Sequence, residues 1–333
     1  MHESSFALKD LMTSRPNRHN QNVHRFAVFT AVCTFLLLIA GALVTSNDAG
    51  LSVPDWPLSY GSLTPPMVGG IFYEHGHRMI ASFVGLLSIV LAVWLWRAES
   101  RRPASERPPV KGSLRWLGVA ALGAIVAQGL LGGLTVLFFL PPSVSSAHAT
   151  LAQLFFATVA SIALLTSAWW EREPVSWLRD FRGPSIHALA LAAAAAVFLQ
   201  LILGAAFRHK AFGIIPHLAG AAVVTGLILW LAAALRRRFP AVPELRFAAR
   251  GLHILIGLQL LLGAAAWWSR LYAASFPQPI AVMVALTVAH VVTGALVLVS
   301  AVLVTLVCYR LVRPAGEVEA PAQKSTASRA FAR

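Results

Sequence analysis

The chain has 333 residues, of which 57% are hydrophobic and only 12% charged, with a mean hydropathy of +0.70. A soluble protein carries about 25% charged residues, and charge-free runs long enough to cross a bilayer recur along the whole length. The composition therefore predicts an all-α polytopic membrane protein. The formal net charge of +14 does not mark a nucleic-acid binder, because the cations cluster between apolar runs, where membrane topology needs them.

Residues 1–25 are polar and basic, with Lys9, Arg15, Arg18 and Arg25, and read as a retained cytoplasmic tail, not a cleaved signal. Eight helices follow, at 26–45, 77–96, 116–137, 147–170, 186–206, 215–235, 251–268 and 281–309. Pro141-Pro142 splits the run 116–170, and Pro277 with Pro279 separates the seventh span from the eighth, since proline interrupts the helical ladder. With the N-terminus inside, all but four of the 27 Lys and Arg fall on the inner side; only Arg78, Arg208, Lys210 and Arg270 stay outside. That bias predicts that both termini are cytoplasmic; the expected location is a bacterial-type inner membrane. Residues 311–333 read as a disordered cytoplasmic tail. Cys33 and Cys308 lie in apolar runs as packing residues, and no CxxC or CxxCH occurs, so neither a thiol redox pair nor c-type haem attachment is suggested.

The chain repeats itself. Gln128-Gly-Leu-Leu-Gly132, Gln200-Leu-Ile-Leu-Gly204 and Gln259-Leu-Leu-Leu-Gly263 close the third, fifth and seventh spans, and Leu37-Leu-Ile-Ala-Gly41 takes the same place in the first. Each even-numbered span begins with a histidine: His77, His148, His217 and His290. The pattern predicts two pseudo-symmetric four-helix bundles, 26–170 and 186–310, joined by a cytoplasmic linker at 171–185. Each of the four histidines stands about 20 residues before the next inner charged residue, on the order of 30 Å of helix, so all four sit near one outer edge of the hydrocarbon. Imidazole suits iron, copper and zinc. Two imidazoles from facing helices in an apolar bundle suit a bis-histidine haem, one per half; zinc would ask for more ligands. His75 falls about 200° around the helix from His77. It reads as solvated or interfacial, as do His187, His209 and His253 and the tail residues His2, His19 and His24.

The halves differ in their outer loops. The first, at 46–74, is long and patterned, whereas its counterpart at 207–214 is short. Only the first half has a carboxylate beside its histidine: Glu74, three residues before His77 and on the same helical face. Glu74 reads either as a helix N-terminal cap or as a group acting on something held in that half.

The loop Gly50-Leu-Ser-Val-Pro-Asp-Trp-Pro57, the helix start Glu74-x-x-His77-Arg78 and the later His148, His217 and His290 resemble the heme A synthase family over about 26–310. The resemblance implies an oxidoreductase that converts haem O to haem A by oxidising a porphyrin methyl to a formyl group, in the maturation of cytochrome oxidase. It implies His77 and His148 as ligands of the substrate haem, His217 and His290 as iron ligands of a haem b cofactor, and Glu74 as the catalytic carboxylate. The expected partners are membrane lipid, haem O and the haem O synthase that supplies it, an electron donor the residues do not specify, and further copies of the chain. Many bacterial members carry a cysteine pair in the first outer loop; Val53 to Tyr60 contains none, so a thiol–disulfide step there is excluded. The residues leave open a dihaem cytochrome that only moves electrons, and a haem carrier without catalysis. A secondary transporter is disfavoured by the lack of charge in mid-membrane.

Overall fold

A computed structural model describes residues 18–101, 113–172 and 178–314. Eight helices in it are long and apolar enough to cross a membrane: α1 Arg18–Ser46, α2 Gly69–Ser100, α3 Leu114–Leu137, α4 Pro142–Leu165, α5 Ile186–Arg208, α6 Ile214–Arg238, α7 Pro243–Ala273 and α8 Ala281–Leu311. The predicted spans all recur, most with longer ends; the fourth, expected to run to 170, stops at Leu165 and is followed by a separate turn of helix at Ala168–Glu171. α1 starts eight residues before its predicted start and takes in His19 and His24; the His24 ring nitrogen Nδ1 lies 2.9 Å from the Ala163 carbonyl, so His24 belongs to a packed helix and not to a tail. α2 starts at Gly69 and α8 at Ala281. The four histidines therefore sit one to three turns inside their helices, not at the starts.

Local chemistry sets these boundaries. Pro142 and Pro243 occupy first-turn positions of α4 and α7, where the missing N–H costs nothing. The Ser185 side chain caps α5 by accepting from Ala188 N–H at 3.2 Å.

Packing follows the same scheme in both halves. α1 lies on α2 and α4, and α3 on α2 and α4; α5 lies on α6 and α8, and α7 on α6 and α8. Across the halves α4 meets α8, α4 lies on α5 and α8 lies on α1. The core does not divide cleanly. One apolar cluster joins Leu38, Phe156 and Ala157 of the first half to the buried faces of α5–α8, and a second, with Val84, Leu91, Phe155 and Ile162, fills the first half alone.

Backbone bonds join the linker to the last described residues. Leu178–Asp180 (β1) pairs in parallel with Val312–Pro314 (β2), Leu178 opposite Val312. Asp180 is buried, accepts from Ile186 N–H at 2.7 Å and pairs with Arg238 at 3.0 Å. The first residues of the predicted disordered tail are thus tied to the linker by backbone bonds; residues 315–333 lie outside the described residues.

Candidate functional site

The repeat glycines find their meaning in contacts with the repeat histidines. A methyl on Gly41 (α1) would lie 3.1 Å from His77 Cε1 (α2), on Gly132 (α3) 3.3 Å from His148 (α4), on Gly204 (α5) 3.0 Å from His217 (α6), and on Gly263 (α7) 2.8 Å from His290 (α8). Each odd helix therefore offers bare backbone to the imidazole of the next. Glycine is needed there because any side chain would displace the ring.

The two halves hold these rings differently. His217 and His290 lie 6.3 Å apart, centre to centre, with planes at 84°. A metal–imidazole nitrogen bond is about 2 Å, so two rings on opposite sides of one iron have centres roughly 6 Å apart. The pair fits a bis-histidine haem in spacing and in donor chemistry. Among the described residues no group of three or more His, Cys, Asp or Glu is arranged for a metal ion, which leaves paired imidazoles as the available donor set. The repeat glutamines tie this pair down. His290 Nδ1 stands 3.2 Å from the Gln259 carbonyl, and Gln200 Nε2 reaches His217 Nδ1 at 3.0 Å and the His217 carbonyl at 2.8 Å. The His290 contact is of the kind that fixes the orientation of a ligating imidazole, whose outer N–H donates to a carbonyl.

In the first half His77 and His148 are near enough for charge on one to act on the other. The Nδ1 atoms of both are buried without a hydrogen-bond partner among the described residues, although the Gln128 backbone acts on His148 as the Gln200 and Gln259 backbones act on His217 and His290; Oε1 of all three glutamines is likewise unpartnered. The two imidazoles are the donor type that haem iron takes.

Above this pair the first outer loop forms a roof. Glu74, buried, accepts from Val53 N–H at 2.9 Å and from Arg78 Nη2 at 2.6 Å. Arg78 also donates to the carbonyls of Asp55 and Leu58, both at 2.8 Å, and of Val53 at 3.3 Å. A guanidinium fork suits this multiple task. The carboxylate of Asp55 accepts from Gly61 N–H at 2.8 Å and Tyr60 N–H at 2.7 Å, and these backbone bonds hold it below the usual carboxylate range. Tyr60 and Gly61 have φ of +53° and +67° between the paired Ser59 and Ser62, as a type I′ turn requires. Trp56 reaches across to α3, where a methyl on Gly133 would lie 2.7 Å from its indole. A side chain on Gly70 would overlap Ser52. The loop is thus seated on α2, one turn from His77, and on α3, beside the Gly132 that meets His148.

Glu74 does not cap α2: it is the sixth residue of that helix and bonds the loop instead. His75 is not solvated. It is buried, with Nδ1 2.8 Å from Ser59 Oγ. His187 is likewise buried, bonded to the Cys308 carbonyl at 3.2 Å and stacked on Tyr309. His253 bonds the Ala249 carbonyl at 2.9 Å and lies 3.2 Å from Arg236. His209, after α5, is partly buried; burial, then the charges of Arg208 and His148, push it down to about 4. Sequence reasoning missed Arg78 as the staple of the loop and Trp56 as its reach to α3. Both stand inside the motif, but neither partner is near in sequence.

Residues 24–307 match the family model of COX15-CtaA, described as cytochrome oxidase assembly protein. The chain is also similar to the heme A synthase of Shouchella clausii, 33% identical over 150 residues (44% of this chain, 46% of the relative). The heme A synthase of Lysinibacillus sphaericus is 30% identical over 150 residues (44% and 46%), and that of Symbiobacterium thermophilum 31% over 179 residues (52% and 55%). The matched stretch spans about half the length of these curated relatives. With the family model matching most of its length, the chain belongs to the COX15-CtaA family of cytochrome oxidase assembly proteins.

Proposed function

We propose that the chain is a heme A synthase: an oxidoreductase that converts the methyl substituent of haem O to the formyl group of haem A for cytochrome oxidase. In this reading His77 and His148 hold the substrate haem, and His217 and His290 hold a haem b cofactor. The observation that carries it is the asymmetry between two like pairs of imidazoles. His217 and His290 would hold one haem between them, their rings 6.3 Å apart. Only the half with His77 and His148 also has a long loop anchored by a buried carboxylate. The names of the similar proteins agree with this reading.

Bound haem iron with oxygen supplies the oxidising power that an unactivated methyl group demands. The protein supplies placement and electrostatics. The seated loop keeps water from the outer mouth of the first half. Glu74 stands one helical turn from His77 on the same face. Its oxygens accept from Val53 N–H, from Arg78 and from the Ser52 backbone, and the carboxylate takes a proton or stabilises positive charge at the porphyrin edge. Arg78 holds that carboxylate in place and keeps the loop closed over it.

The test is the haem content of membranes with and without the chain. A formyl haem appearing only when the chain is present supports a synthase. Unchanged haem O together with haem-linked electron transfer would establish the dihaem cytochrome instead. The same reading puts both termini in the cytoplasm of a bacterial inner membrane. Reporter fusions at Gly61 and Gly316 should then report opposite sides.

A further inference from the structure

We infer that Arg208, Lys210 and Arg270 form a clamp for the two propionate carboxylates of the haem held by His217 and His290. The inference rests on the assignment of a haem to that pair.

A cavity of about 580 Å³ opens at the outer end of the second half, lined by Phe207, Arg208, Lys210, Trp267 and Arg270 among others. Helical register connects it to the imidazoles. Arg208 follows Gly204 by four residues, and Trp267 and Arg270 follow Gly263 by four and seven. They continue outward the same helix faces that touch His217 and His290, about 6 Å and 10 Å further along. Phe207 makes the join: its ring stacks over His217 at 6.4 Å and 13°, and meets Trp267 at 6.1 Å.

The cavity gathers like charge. Arg208 and Arg270 are close enough for their charges to repel, and Asp48 is a carboxylate that acts on Arg208. Among the described residues none of the three cations has a carboxylate within 4 Å. Arg208 Nη2 donates to Ser46 Oγ at 2.7 Å and to the Ala42 carbonyl at 3.3 Å; its Nη1 and Nε make no bond among the described residues. Like charges held at a membrane boundary are costly until an anion joins them. A haem offers two carboxylates on an otherwise apolar ring, matched to guanidinium forks and to the aromatic lining. The first half has no such set. The positions four and seven beyond Gly41 and Gly132 are Thr45, Asp48, Val136 and Phe139. The clamp therefore gives the second half a retained haem and leaves the first half able to release one.

A lipid phosphate offers similar anionic oxygens, and the experiment separates the two sources. Full-length protein produced without haem is placed in phosphatidylcholine nanodiscs and loaded with protohaem or with its dimethyl ester, in which both carboxylates are masked. Wild type should retain protohaem roughly tenfold longer or more, the size of one charge-assisted contact. The Arg208→Gln/Arg270→Gln variant should lose that preference and keep the bis-histidine absorbance bands. Equal retention of both haems by wild type with those bands present overturns the clamp alone. A variant that differs from wild type only when phosphatidylglycerol is added assigns the cations to lipid and also overturns it. Absence of bis-histidine bands with either haem removes the underlying haem assignment and the clamp with it.

Discussion

In each half a glycine on one helix meets a histidine on the next, yet the surroundings of that contact diverge. In the second half glutamines contact the imidazoles, and cations gather at the outer end around an open cavity. In the first half the imidazole Nδ1 atoms are left without hydrogen-bond partners among the described residues, cations are missing from the matching positions, and a loop running from residue 47 to residue 68 is stapled over the top. On the proposed reading, the same framework carries one site built for retention and one built for exchange. A resident group benefits from ligands oriented in advance. A substrate must leave, and a site that gripped it equally well before and after reaction would gain nothing in turnover.

The strongest way to break the comparison is to remove ligands from each half in turn. His217→Ala or His290→Ala should abolish the bis-histidine spectrum expected of a haem b held by this pair, because each removes one of its two ligands. His77→Ala or His148→Ala should leave that spectrum intact and stop haem A formation. Redox-difference spectra of the four variants check the pattern; a wild-type spectrum from His290→Ala would remove the division of labour.

Next in size is Glu74→Gln, which keeps the shape and removes the charge. Turnover should fall by about 10²-fold or more if the carboxylate handles a proton or charge, with haem O or a hydroxylated form accumulating while haem b stays bound. Arg78→Gln should differ from it. Losing the staple should expose residues 53–61 to faster hydrogen exchange as well as lowering turnover. A Glu74→Gln variant with normal haem A yield would reduce Glu74 to an anchor for the loop.

The glycines give a graded test. Alanine at Gly263 leaves least room, at 2.8 Å, then at Gly204 (3.0 Å), Gly41 (3.1 Å) and Gly132 (3.3 Å). Overpacking costs about 1–3 kcal/mol, so Gly263→Ala should shift the haem b spectrum and lower thermal stability most, and Gly132→Ala least. Melting curves that put Gly132→Ala first would show that these contacts do not position the rings. The smallest effect is expected from Cys33→Ala/Cys308→Ala. Both thiols are buried and free, so the double variant should cost on the order of 1 kcal/mol per site and retain haem A formation, measured by haem extraction.

The sequence by itself determined the eight helices and the place of one histidine in each even-numbered helix. Hydrocarbon demands an apolar run of fixed length for each crossing, and a helix converts residue number directly into depth. It also showed the Gln–Gly repeats and the single carboxylate beside His77, since these are local patterns. Tertiary structure alone decided what the repeats are for, because a glycine's partner lies on another helix and leaves no mark on its own. The same holds for Glu74. Its spacing from His77 was legible, but a bond to Val53 N–H across the loop was not, and so a helix cap and a loop anchor looked alike. His75 and His187 were misread as solvated because burial depends on which neighbours close over a side chain. The gathering of Arg208 and Arg270 around one cavity, although they stand on separate helices, arises only when α5 and α7 bring their outer ends together.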